Sequence, residues 1–263
     1  MKQKIYQIDA FTDKVFSGNS AAVCPLDHWL SDEILQKIAM ENNLAETVFY
    51  VKQDDKQYQI RWFTPTVEVD LCGHATLAAA YVLFNHEHHK ENIIHFYSSR
   101  SGALTVTKQD KLLILNFPTD NIEQIEVSDE ITRCFDLKPQ LAFKGKTDYL
   151  LVFDNEEEIR KVTPVFDLIS KLNVRGVIIT AKGDTVDFVS RFFAPQTGIN
   201  EDPVTGSAHT TLTPYWAKQL GKTELTAMQL SERKGYLQCT YLNDRVEISG
   251  QGKLYLIGEI YLE

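Results

Sequence analysis

Arg61-Trp62-Phe63-Thr64-Pro65, followed by Glu68-Val69-Asp70-Leu71-Cys72-Gly73-His74-Ala75-Thr76, has a counterpart in the last third of the chain. There the residues are Arg191-Phe192-Phe193-Ala194-Pro195, then Glu201-Asp202-Pro203-Val204-Thr205-Gly206-Ser207-Ala208-His209-Thr210. Each copy reads as a strand, a Phe-x-Pro turn, an acidic residue, a glycine and a largely apolar helix. The spacing differs by a few residues, so the pattern is a divergent duplication rather than a tandem array. A chain of 263 residues built from two such halves gives each an ordinary domain size.

Outward from the repeat, short strands and helices mix throughout. Lys4 to Phe11 reads as a strand, with a loop around Phe16-Ser17-Gly18-Asn19-Ser20. Ser31 offers an N-cap, with Asp32 and Glu33 in the first turn of a helix. Residues 74–85 are apolar on nearly every side, which marks a buried helix. Pro214 inside the second apolar helix, residues 208–220, predicts a kink or a late start. Residues 118–127 are polar and acidic and read as the linker. The expected domains are therefore 1–117 and 118–263, with a last strand, 254–263, that could cross back to the first half.

The charge balance excludes several classes. Lys and Arg number 27 against 36 Asp and Glu, a net charge of −9, and 43% of residues are hydrophobic. Disorder and disulfide scaffolds do not fit that composition. An acidic chain argues against a nucleic-acid or anionic-membrane partner. No apolar run of about 18 residues is present, and the first residues read as a strand rather than as a signal peptide. Cys24, Cys72, Cys134 and Cys239 are scattered, so reduced thiols and a cytoplasmic location are expected. A homodimer is the base-rate expectation.

Both glycines of the repeat stand where a loop becomes a helix. Backbone N–H groups at a helix start favour anions, and glycine lets a ligand approach closely. A small carboxylate held between two such starts would give an acidic protein a local anion site. The plainer reading is that Gly73 and Gly206 tighten turns and that both helices are core.

Further motifs lie in order along the chain: Gln7-Ile8-Asp9-Ala10-Phe11, Phe16-Ser17-Gly18-Asn19-Ser20-Ala21-Ala22-Val23 and Asn43-Leu44-Ala45-Glu46-Thr47-Val48-Phe49. With the two repeat copies, the whole set resembles the PhzF-like (phenazine biosynthesis) isomerase family, itself similar to diaminopimelate epimerase. The resemblance implies an α+β fold of two similar, pseudo-symmetric halves, each a mixed curled sheet around one central helix. It implies a cofactor-independent isomerase acting on a small carboxylate in the cleft between the halves. It places the acid/base carboxylate at Glu46 and further catalytic groups at His74, Asp202 and Ser207. Gly18, Asn19, Gly73, His74, Gly206 and Ser207 would bind substrate, with no metal and no cofactor.

The residue types suit that chemistry. One carboxyl group can take and return a proton on one face of a substrate if burial tunes it, and Glu46 sits among Leu44, Ala45, Val48 and Phe49. Asp202 could orient and charge His74, which could polarise a carbonyl or relay a proton. Against this, His74 also reads as a capping or packing residue, Asp202 as a turn former and Ser207 as an N-cap. In the epimerase relatives a cysteine precedes each helix glycine; here the pair is Cys72 and Thr205. A hydroxyl has no thiolate-like state near neutral pH, so one-face transfer by Glu46 is favoured over a two-thiol mechanism.

Other signals are weaker. His86-Glu87-His88-His89 lacks H-E-x-x-H spacing because position 90 is Lys. Gly145-Lys146-Thr147 and Gly221-Lys222-Thr223 lack the earlier glycine of a phosphate loop, and Gly250-Gln251-Gly252 reads as a hairpin turn. Ser207 lacks the flanking glycines of a hydrolase elbow. The competing readings are a non-catalytic carboxylate binder and a serine hydrolase.

Overall fold

The computed structural model describes residues 2–53 and 57–262. The chain divides into two compact units, Met1–Asn116 with Ser249–Glu263, and Phe117–Ile248. The first unit begins with β1 (Lys2–Ala10), β2 (Asn19–Leu26), α1 (Asp32–Asn42), β3 (Glu46–Lys52) and β4 (Gln57–Phe63). It continues with β5 (Glu68–Val69), α2 (Gly73–Asn85), β6 (Ile93–Ser98), β7 (Gly102–Gln109) and β8 (Leu112–Pro118). In the second unit come β9 (Glu123–Ile125), α3 (Asp129–Thr132), β10 (Leu141–Lys144), β11 (Asp148–Val152), α4 (Glu156–Lys161) and α5 (Phe166–Ile169). Then follow β12 (Gly176–Lys182), β13 (Phe188–Phe193), α6 (Gly206–Leu220), β14 (Glu224–Gln229), β15 (Gly235–Tyr241) and β16 (Arg245–Gly250). The chain ends in the first unit with β17 (Gly252–Tyr261), antiparallel to β1 from Lys2 opposite Tyr261 to Ala10 opposite Gly252.

Each unit repeats one arrangement. In the first, β2 and β3 are parallel, with Ala21 opposite Glu46, and β3 is antiparallel to β4, with Thr47 opposite Phe63. A parallel pair needs a crossover, and α1 provides it. In the second, β11 and β12 are parallel, with Asp148 opposite Gly176, and Val177 on β12 faces Phe193 on β13. There α4 and α5 lie within the crossover. Aligning Phe63 with Phe193 through these registers makes Glu46 the counterpart of Gly176.

Helix α2 buries His74 through Ala80, Val82 and Leu83, and packs on β1, β2, β3 and β17. With apolar residues all round, it is stable only inside a curled sheet. Helix α6 packs on β11, β14 and β15. The same clasp sets the entry to both helices. Arg61 Nε and Nη2 donate to Glu68 Oε1 and Oε2 at 2.7 and 2.9 Å, with the guanidinium 5.1 Å from the centre of the Phe63 ring. Arg191 repeats this on Glu201 at 2.8 and 2.9 Å, 4.9 Å from the Phe193 ring. Such bidentate pairs are among the stronger protein hydrogen bonds.

Several local expectations are corrected. Helix α6 runs unbroken through Pro214. Proline cannot donate to the carbonyl four residues earlier, but the Asp120 N–H takes that place on Thr210 O at 3.2 Å. Residues 118–127 are accordingly more than a linker: Asp120 anchors on α6, also accepting from Thr211 Oγ1 at 2.9 Å, and β9 lies in the same stretch. β2, β10, β11 and β14 fall where no strand was expected. β2 is rich in alanine and contains Pro25, and its extended form comes from ladders with β1 and β3. Among the described residues no helix is long and apolar enough to cross a membrane.

Arg191 also donates to the carbonyls of Ile159 and Val162 at the end of α4, at 3.2 and 2.9 Å. Arg191→Met is therefore expected to destabilise the protein by about 2–4 kcal/mol, because Glu201 and two carbonyls lose their donor. Urea unfolding of the variant against the wild type measures this.

Candidate active site

In the first unit the loop after Gly18 leads into β2, Glu46 opens β3, and Cys72 and His74 flank the start of α2. Gly18 has φ +66° and is buried, and a Cβ there would lie 2.1 Å from the Ala10 carbonyl oxygen, so only glycine fits this bend. The bend delivers the side-chain amide of Asn19 to 3.2 Å from His74 Nδ1. On the other side of the ring, His74 Nε2 lies 3.0 Å from Glu46 Oε2, the two side chains being 5% and 13% exposed. Cys72 Sγ is 3.4 Å from His74 Nδ1. No side chain caps α2 at Cys72. Thr76 Oγ1 instead donates back to the Cys72 carbonyl at 2.6 Å, and Trp62 Nε1 donates to Thr76 at 3.1 Å.

The electrostatics of this cluster follow from burial and one charge. Burial alone would push His74 down, but Cys72 and Glu46 outweigh it and hold the imidazole well above its ordinary value. Burial, then Glu46, pushes Cys72 itself up to about 11, so near neutral pH it is a thiol. Glu46, on the other ring nitrogen, is the second group that favours the protonated imidazole. An imidazolium donates from both nitrogens, so the oxygen of the Asn19 amide is the atom that belongs opposite Nδ1.

Glu46, Cys72 and His74 present ligand atoms within 4.8 Å of one another. A cation bound there would have to displace protons from both His74 and Cys72, in competition with the ion pair.

In the second unit Asp202 is half-buried, and its carboxylate accepts from Thr205 Oγ1. Gln229, fully buried, accepts from the Thr205 N–H at 2.9 Å and donates to the Asp202 carbonyl at 2.8 Å, which fixes the approach to Gly206. Gly206 is the first residue of α6, again without a side-chain cap. Ser207 is exposed on the first turn and accepts from Arg175 Nη2 at 3.0 Å. His209 occupies the place of Thr76, donating from Nδ1 to the Thr205 carbonyl at 2.8 Å, and burial pushes it down to about 4.

The structure thus brings Asn19, Glu46 and His74 together with Cys72, and gathers Asp202, Gly206 and Ser207 separately at the start of α6. The carboxylate paired with His74 is Glu46. Sequence reasoning missed Gln229, Arg175 and Asp148, none of which belongs to a motif; only the register that matches Glu46 with Gly176 draws attention to Arg175.

Two NMR titrations test the charge assignment. His74 is expected to stay protonated through neutral pH in the wild type, and to lose its proton at lower pH in Glu46→Gln and in Cys72→Ala, each of which removes one of the two groups that oppose burial. The stability this pair contributes is fully present below the unfolded histidine value of about 6.5 and is lost as pH rises through the raised folded value. The wild type should therefore lose its stability advantage over His74→Gln as the solution becomes alkaline.

Comparison with known proteins places this geometry in a family. A family model described as phenazine biosynthesis-like protein (PhzC-PhzF) matches residues 8–258. A protein of Pseudomonas aeruginosa named as an uncharacterized isomerase is 48% identical over 262 residues, covering 100% of both chains. The crystal structure of a phenazine biosynthesis protein of the PhzF family from Enterococcus faecalis matches with a TM-score of 0.97 and 48% identity over 100% of each chain. A hydroxyproline epimerase from Agrobacterium vitis, at 9% identity and a TM-score of 0.63, covers 98% of this chain and 92% of its own and is alike in fold alone. The fold is α+β with mixed curled sheets of the epimerase-like kind, and the chain belongs to the phenazine biosynthesis-like, PhzC-PhzF protein family.

Proposed function

We propose that the chain is a cofactor-independent isomerase that moves a proton within a small carboxylate-bearing substrate, with Glu46 as general acid and base. The observation that carries this reading is the Glu46–His74 pair, 3.0 Å apart and nearly closed to solvent. A carboxylate held at a fixed distance by an imidazolium is poised to accept a proton from an acidic C–H and to return it to another carbon on the same face. The carbon left behind carries negative charge, which the adjacent carbonyl or carboxylate takes up. His74, as a cation, stabilises that charge or returns a proton to it.

The unequal chemistry of the two units supports a single base. Where the first unit has Cys72 and His74, the second has Thr205 and Ser207, and Gly176 stands opposite Asp148 where Glu46 stands opposite Ala21. A two-base racemisation needs an acid/base group from each side, and no such match to Glu46 or Cys72 stands at these positions. Asp202, Gly206 and Ser207, with Gly18, Asn19 and Gly73, are proposed as the groups that hold and orient the substrate. The relative named as an isomerase, and the epimerase of like fold solved with trans-4-hydroxy-L-proline, fit proton chemistry beside a carboxylate.

Deuterium incorporation tests the proposal. Benzoate, 2-aminobenzoate, cyclohexene carboxylates and trans-4-hydroxy-L-proline are incubated in D2O with the wild type and with Glu46→Gln, and followed by NMR. Exchange at one carbon in the wild type, reduced at least about a hundredfold in Glu46→Gln, is the expected result. Carboxylate binding without exchange would make the protein a binder that has kept the fold.

A further inference from the structure

Ser207 is the exposed residue of the α6 start, yet a buried structure is built behind it. Arg175 Nη2 donates to Ser207 Oγ at 3.0 Å. The guanidinium is fixed on its other side: Nε donates to Asp148 Oδ1 at 2.9 Å, and Nη2 also reaches Asp148 Oδ2. Its Cζ lies 5.3 Å from the Phe192 ring centre, and the Arg175 N–H donates to the Thr147 carbonyl at 2.7 Å. Asp148 is only 2% exposed, and Thr147 Oγ1 donates to it at 3.1 Å. Burying a carboxylate to hold one half-exposed arginine is costly unless the arginine has a task.

Arginine has donors and no acceptor, so Ser207 Oγ accepts from it and keeps its own O–H to donate elsewhere. The group beside Oγ cannot take its proton, which makes Ser207 unsuited to act as a nucleophile or base. The registers agree with this division. Glu46 and Gly176 are matched at the starts of β3 and β12, and His74 and Ser207 are matched at the second residues of α2 and α6. The first unit fills these positions with a carboxylate and a cation. The second leaves the strand position bare and sends the neighbouring Arg175 to the helix residue.

The geometry points to Arg175 as a positioning residue that, clamped by Asp148, presents Ser207 as a hydrogen-bond donor to an oxygen of the carboxylate substrate. This role rests on the proton-transfer reading above.

A double-mutant cycle tests it. Affinities for benzoate, 2-aminobenzoate and trans-4-hydroxy-L-proline are measured by NMR titration for the wild type, R175M, R175K, S207A and R175M/S207A, with deuterium exchange and melting temperature followed in parallel. R175M and S207A should each weaken binding about tenfold, and the double variant by no more than either alone, because the two residues act as one. R175K should bind as poorly as R175M, since an ammonium cannot span both Asp148 and Ser207, and it carries the comparison if R175M does not fold. A merely structural Arg175 would lower the melting temperature and weaken binding equally with or without the Ser207 hydroxyl. Losses that multiply to about a hundredfold, or no loss in either arginine variant, overturn the role and leave Glu46-dependent exchange standing. A non-additive cycle without Glu46-dependent exchange overturns the proton-transfer reading instead, and a wild type that binds none of the probes overturns both.

Discussion

A planar guanidinium gripping a carboxylate with two parallel hydrogen bonds governs how each unit turns from strand to helix. Arg61 and Glu68 close the first turn, and Arg191 and Glu201 close the second. The arginine stacks on the phenylalanine that ends its strand two residues later, and the glutamate starts the segment that leads to the helix glycine. With the clasp in place, the residue before each glycine becomes an N-cap without a capping side chain, and the second helical residue projects from the first turn. His74 and Ser207 owe their positions to it.

The same scaffold then carries opposite chemistry. In the first unit the buried partners are a carboxylate and an imidazolium, with a neutral thiol at their side. In the second the corresponding residues are a glycine and a serine, and the charge comes from an arginine tethered to a buried aspartate. The framework recurs in both units, one carrying a carboxylate beside an imidazole and the other an arginine, which can only donate hydrogen bonds.

Much of this was legible in the residues. The repeated strand, Phe-x-Pro turn and glycine pointed to two related halves, and the all-round apolar character of residues 74–85 pointed to a buried helix. The pairing of His74 with Glu46 was not legible, because it depends on how α2 packs on β3, and a contact between elements distant in sequence leaves no mark on either one. Short strands such as β11 and β14 were lost for a similar reason: their extended form is imposed by neighbours distant in sequence. Pro214 misled as to where α6 starts. The carbonyl it leaves without a helical donor is taken by Asp120, ninety-odd positions earlier, and no local rule sees that far.

The pairing of β1 with β17 has a consequence for the order in which the protein matures. β1 finds its long antiparallel partner on the far side of the whole second unit in sequence. All of the second unit is synthesised in between, and its strands and helix can assemble as soon as they emerge. The nascent first unit meanwhile carries an unpaired edge on β1, with Glu46 and His74 already made but their sheet incomplete. A truncated translation product would thus contain every residue of the Glu46–His74 pair and still lack the strand that completes the sheet around it.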